Sequence, residues 1–218
     1  MQTRADSADE SIHSIGAQVG FAGAIKRHGG VWIGPGPTAG DSYTRLVTGS
    51  LLILTGASGS GKTTLAHAVQ IALPMCEVRF FDSIGIPSAE IMATYTGDYG
   101  PGGGWQRAMT MEWMRRIAPL LNSGKMVLFE GQMRIAFIEE ALAAGGITNA
   151  RVVLIDCSDS VRVARLTNDR RQPDLANEDM MNWGRFLREE AKRGNYEILD
   201  TGSLPFRSSV NQLIAYLR

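Results

Sequence analysis

The run Gly56-Ala57-Ser58-Gly59-Ser60-Gly61-Lys62-Thr63 limits what this chain can fold into more than any other feature. It completes the pattern G-x-x-x-x-G-K-[ST], the Walker A signature. The apolar segment 51–55 enters it, and a helix-period segment, 62–73, leaves it and stops before Pro74. Strand, glycine turn and helix are the context that this pattern requires. The turn needs residues without side chains, so that successive N–H groups face one centre as an anion-binding nest. The helix adds the positive end of its dipole. Residues 56–64, including Ala57, Ser58, Ser60 and Thr64, are therefore predicted to cradle the phosphates of a nucleoside triphosphate, ATP with Mg²⁺. Lys62 supplies a point charge for the β- and γ-phosphates, and Thr63 a hydroxyl for Mg²⁺.

Downstream, apolar runs alternate with helical stretches, which is the signature of βαβ units around a parallel sheet. The predicted strands are 51–55, 77–81, 126–129, 151–155 and 196–199. The predicted helices are 62–73, 88–94, 105–121, 134–144, 160–166, 177–192 and 206–217. The expected fold is α/β: three layers, a P-loop NTPase fold with a five-stranded parallel sheet, the first strand central and helices on both faces. Residues 1–50 read as an N-terminal extension, partly irregular. Gly29, Gly30, Gly34, Pro35, Gly36, Pro37 and Gly40 crowd one stretch of it, which excludes a regular helix or central strand there. A short helix over 12–25, and Trp32 as an anchor, are expected within the extension. Residues 51–218 form the predicted P-loop domain, with a lid around 165–177.

In an open α/β sheet, ligands sit beyond the carboxyl ends of the strands. The second predicted strand releases Asp82 there and the third releases Glu130. Phosphoryl transfer needs a metal holder and a group that orients the acceptor hydroxyl. Asp82 and Glu130 are the candidates for catalysis, with Asp82 also a candidate for the metal, beside Thr63, and for the acceptor. Arg134 suits an acceptor phosphate or carboxylate. Arg165, Arg170 and Arg171 are placed to close over a transferring phosphoryl group. Trp105 and Trp113 share a helix with Met109, Met111 and Met114. They read as core, or as the wall of an acceptor pocket.

The chain thus resembles the P-loop small-molecule kinases of the nucleoside monophosphate kinase and shikimate kinase type. The likeness rests on the loop, on Asp82, on the run Glu130-Gly131-Gln132-Met133-Arg134, on the arginine-rich lid and on the segment 196–202 entering the last helix. In adenylate-type kinases the third strand ends in Asp-Gly-Phe-Pro-Arg; here Glu replaces Asp and Gln-Met replaces Phe-Pro, while the arginine is kept. The resemblance implies that Arg134 holds the acceptor and that the loop 201–205 borders the nucleobase. It implies an ATP-dependent phosphotransferase that moves a γ-phosphoryl group to a small-molecule acceptor, a nucleotide or a metabolite. The alternatives are a regulatory or partner-binding P-loop NTPase and an antibiotic-modifying phosphotransferase.

Other signals set bounds. The formal net charge is zero, which gives no bulk electrostatic reason to expect nucleic acid or a membrane surface as partner. The segment after Met1 is polar, and no apolar run is long enough for a bilayer, so the expected place is the cytoplasm. Cys76 and Cys157 match no zinc spacing and read as reduced thiols. Oligomeric state is not encoded in any pattern seen here.

Overall fold

The computed structural model describes residues 49–218. The helix expected over 12–25 and the anchoring role of Trp32 lie outside the described residues. The remainder forms a five-stranded parallel sheet in the order β2-β3-β1-β4-β5. The strands are β1 (Leu51–Thr55), β2 (Glu77–Phe80), β3 (Val127–Glu130), β4 (Ala150–Asp156) and β5 (Glu197–Asp200). Seven α-helices connect and flank them: α1 (Lys62–Ala72), α2 (Ala89–Ala93), α3 (Gly103–Asn122), α4 (Ile135–Ala144), α5 (Asp159–Ala164), α6 (Glu178–Arg193) and α7 (Phe206–Leu217).

β1 is central and wholly apolar up to Thr55 because it is buried on both faces. Its side chains alternate between two cores. Leu52 and Leu54 pack with Leu65 and Val69 of α1 and Leu213 and Leu217 of α7. Leu51 and Ile53 pack on the opposite face with Trp113 and Ile117 of α3 and Ile138 of α4. A smaller cluster, Ile135, Leu154, Leu187 and Ala191, seats α6. The expected three-layer architecture and central first strand are what the structure has.

The differences from expectation are local. Glu130 is the last residue of β3 rather than the first beyond it. β2 stops at Phe80, and Asp82 sits in a 3₁₀ turn, Phe81–Ile84. α3 begins at Gly103, two residues before the predicted helix over 105–121. The helix expected over 160–166 is α5 only to Ala164; a single wide turn, Arg165–Asp169, continues it. Trp113 is core: its ring lies 5.3 Å from that of Phe129 and its indole N–H donates to the Phe81 carbonyl at 3.1 Å. Cys76 and Cys157 are free and buried. No helix among the described residues is long and apolar enough to cross a membrane.

Candidate active site

β1 delivers the chain to Gly56 with φ of 150°, and a Cβ there would stand 2.2 Å from the Ile155 carbonyl oxygen. The loop therefore passes flush against β4, and only glycine fits. Gly61, at φ 95°, turns the chain into α1. Between them the Lys62 ammonium reaches back to donate to the Ala57 carbonyl at 3.2 Å, which ties the loop into a ring. The amides of Gly59, Gly61, Lys62 and Thr63 donate to no protein acceptor among the described residues. Unpaired donors at a helix start form an anion site. They open onto a cavity of about 450 Å³, walled by residues of the loop and α1 on one side and by Arg165, Asp169, Arg170, Thr201, Leu204 and Phe206 on the others.

Sheet register brings Glu130 to the same place. It pairs with Leu54 on β1 and Phe80 on β2. Its carboxylate accepts from the Thr63 hydroxyl at 3.1 Å. Glu130 is buried, and burial raises its pKa above the ordinary carboxylate value; Lys62 and the Thr63 hydrogen bond oppose that rise. Lys62 is also buried, and desolvation lowers its pKa to about 8, against the pull of Glu130. Asp82 is exposed, yet near enough for its charge to act on both Lys62 and Glu130. Glu130, rather than Asp82, is the carboxylate in contact with Thr63. Among the described residues no cluster of three or more acidic, His or Cys side chains forms a metal cage. Mg²⁺ does not need one where phosphate and water oxygens complete its shell. The paired Thr63 and Glu130 oxygens suit a hard cation of that kind.

The predicted lid arginines separate into three different situations. Arg165 is engaged: it donates to the Thr201 hydroxyl and carbonyl at 2.8 and 2.9 Å and to the Ser60 carbonyl at 3.3 Å. These bonds tie the loop to the chain leaving β5, and the side chain also lines the cavity. Arg170 lines the cavity, and its charge reaches Lys62. Arg171 is exposed, has φ of 52° and lines neither this cavity nor the second one described below. The loop 201–205 borders the cavity through Thr201 and Leu204.

Arg134 lies elsewhere, at a second cavity of about 220 Å³ with Tyr99, Trp105, Gln106 and Trp183. Its guanidinium is centred 4.9 Å from the rings of both Phe137 and Phe186. Side-chain hydrogen bonds connect this cavity to the phosphate loop. Gln106 donates to the Gln132 carbonyl at 2.8 Å and accepts from the Arg134 amide at 3.0 Å, while the Ser58 hydroxyl donates to the Gln132 side chain at 3.1 Å. Trp105 thus belongs to the pocket wall, and Trp113 does not.

Sequence reasoning missed Arg162. It is fully buried, and its guanidinium bonds the Asp156 carboxylate at 2.7 Å and the Ser58 carbonyl at 3.0 Å. Asp156 is held from its other oxygen by Arg188 of α6 at 2.6 Å. Gly184 of α6 leaves room for the Arg162 guanidinium, since a Cβ there would stand 3.0 Å from it. The back of the phosphate loop is therefore fastened to α6.

The sheet order, the strand-loop-helix at β1 and the cavity above it define the fold of the P-loop small-molecule kinases. Solved structures with that fold match over most of their length. A sugar kinase from Janibacter sp. superposes with a TM-score of 0.56 at 19% identity, over 78% of this chain and 94% of that one. A gluconokinase from Sinorhizobium meliloti gives 0.53 at 17%, over 79% and 93%. The shikimate kinase of Acinetobacter baumannii, solved with shikimate, gives 0.52 at 20%, over 78% and 93%. No protein-family model matches the chain. By sequence it is 30% identical to a nucleotide-binding protein of Lactobacillus delbrueckii subsp. bulgaricus over 71% of this chain and 48% of that protein. It is 26% identical to a nucleotide-binding protein of Lactobacillus acidophilus over 75% and 52%. The chain spans about half the length of the curated relatives it matches.

Proposed function

We propose that this protein is an ATP-dependent kinase that transfers the γ-phosphoryl group to a small-molecule acceptor. The observation that carries the reading is the pair of cavities joined through Ser58, Gln132 and Gln106: one is floored by unpaired loop amides, the other holds an arginine. The fold shared with sugar, gluconate and shikimate kinases, and the nucleotide-binding relatives, support it.

In this mechanism the amides of Gly59, Gly61, Lys62 and Thr63 hold phosphate oxygens, and Lys62 adds its charge where negative charge builds up. Thr63 and Glu130 would hold Mg²⁺, which when bound neutralises phosphate oxygens. Asp82 orients the acceptor hydroxyl and takes its proton. Arg134 holds the acceptor, and Arg170 covers the transferring group while excluding water. Leu204 and Phe206 supply apolar surface for the nucleobase.

The reading is tested by incubating the protein with ATP, Mg²⁺ and pooled metabolites and finding, by mass spectrometry, a product heavier by one phosphoryl group. ATP binding with no phosphorylated product across a broad acceptor panel would favour a nucleotide-switched regulatory protein, a reading equally compatible with the relatives' name. Glu130→Gln sharpens the test. The amide oxygen still accepts from Thr63, so folding should be preserved, but the metal loses a charged ligand. Transfer should fall roughly a hundredfold, and the Mg²⁺ concentration giving half-maximal rate should rise, measured by titrating Mg²⁺ at fixed ATP.

A further inference from the structure

The second cavity carries more chemistry than an acceptor site requires in general. Tyr99, Trp105 and Trp183 bring aromatic rings to its walls, with Met92 beside them and Gln106 and Arg134 as its polar side chains. Trp183 stacks on Phe186 with centroids 5.4 Å apart and planes 13° from parallel. Phe186 in turn faces the Arg134 guanidinium, which Phe137 also flanks. A guanidinium held between two rings loses little conformational freedom when it binds an anion.

The donors at this cavity are unspent. The Arg134 terminal nitrogens make no hydrogen bond to protein among the described residues. Its Nε is buried without a hydrogen-bond acceptor; it is ion-paired with Glu190, whose oxygen stands 3.8 Å away, beyond hydrogen-bonding distance. The other oxygen of Glu190 is taken by the Ile135 amide at 2.7 Å. The Trp183 indole N–H is likewise buried without an acceptor among the described residues. A donor shielded from water and left unpaired costs about 1–3 kcal/mol. Both belong to side chains that wall the same cavity, so an occupant that brings acceptor oxygens would relieve that cost. A small rotation of the Trp183–Phe186 stack would expose the N–H to it.

We infer that this cavity takes a flat ring carrying one anionic group, with the ring between the aromatic walls and the anion on Arg134 and Trp183. This rests on the kinase reading for its meaning, since it names the class of acceptor. Trp183 becomes the specificity-determining residue that the arginine alone does not supply. The anion is a carboxylate or a phosphate; both present oxygens to a fork and an N–H in the same way.

Calorimetry on the full chain separates the possibilities, with benzoate, phenyl phosphate, phenol and inorganic phosphate as probes. One or both ring anions should bind, and phenol and inorganic phosphate should bind at least roughly tenfold more weakly. Trp183→Phe keeps a ring in the stack and removes only the N–H; it should weaken the ring anion roughly tenfold. Arg134→Gln should weaken it further, and Arg115→Ala, on the exposed side of α3, should not change it. Binding of phenol as tight as that of the anions overturns the inference, as does absence of ring-anion binding or indifference to both Trp183→Phe and Arg134→Gln. The comparison of charged with neutral rings uses the unaltered protein, so it stands even if a variant fails to fold. Ring-anion binding without any phosphoryl transfer would sink the kinase reading and leave this one in place.

Discussion

Replacing Lys62 by methionine should make the protein inactive and more stable in the same step. The side chain is 8% exposed, and burial draws its pKa from 10.5 down to about 8. At neutral pH the folded protein therefore keeps a charge that its surroundings disfavour. Methionine fills similar space without that charge. Some of the gain is lost because Glu130 gives up its cationic neighbour, so the net increase should be about 1–2 kcal/mol, seen as a rise in Tm. Transfer should fall roughly a thousandfold or more, because the charge acts where phosphate oxygens become more negative. The pH dependence has a definite sign. Between about 8 and 10.5 the unfolded chain binds the proton that the folded one has released, so this lysine's contribution rises with pH across that window. Urea midpoints from pH 7 to 10 should show that rise in the unaltered protein relative to Lys62→Met.

The opposite outcome is expected at Arg162. Arg162→Leu should cost about 3 kcal/mol of stability, read as a shift in the urea midpoint without a change in slope. Asp156 is 5% exposed and would keep only Arg188 as partner, and the Ser58 carbonyl would lose its buried donor. Gly184→Ala should give a weaker version of the same loss, because its methyl pushes on the Arg162 guanidinium. Since Ser58 belongs to the phosphate loop, Arg162→Leu should also weaken Mg²⁺–ATP binding. The two substitutions separate a residue used by the chemistry from one that shapes the loop behind it.

The fold was legible because its signals are local. The strand-glycine-helix run at β1 and the alternation of apolar and amphipathic segments each follow from backbone periodicity. Helix ends were readable where a cap marks them, as at Asn177, whose side chain accepts from the Met180 amide. The place of Glu130 beside Thr63 was legible because parallel strands present their carboxyl ends to one crevice, whereas the separate cavity at Arg134 was not. Arg162 was missed because a buried arginine looks, in sequence, like any surface one. Two signals were present all the same. Arg162 in α5 and Arg165, the residue that follows its last, are three apart and both bond the loop. Gly184 interrupts an otherwise good helix, which marks a close approach by something large. The different surroundings of Arg165, Arg170 and Arg171 were not legible, because the helical pattern gave no sign of the wide turn Arg165–Asp169 after α5. Trp183 was hidden for a related reason: its importance lies in having no partner, and only packing reveals that.

The central claim is that the loop amides and Lys62 form a cup for a chain of phosphates. Calorimetric titration with the Mg²⁺ complexes of ATP, ADP and AMP tests it most directly. The account predicts that affinity falls as phosphates are removed, by roughly a hundredfold or more from ATP to AMP, and that Lys62→Met abolishes the preference. Equal binding of all three, or no heat with any of them, would contradict it.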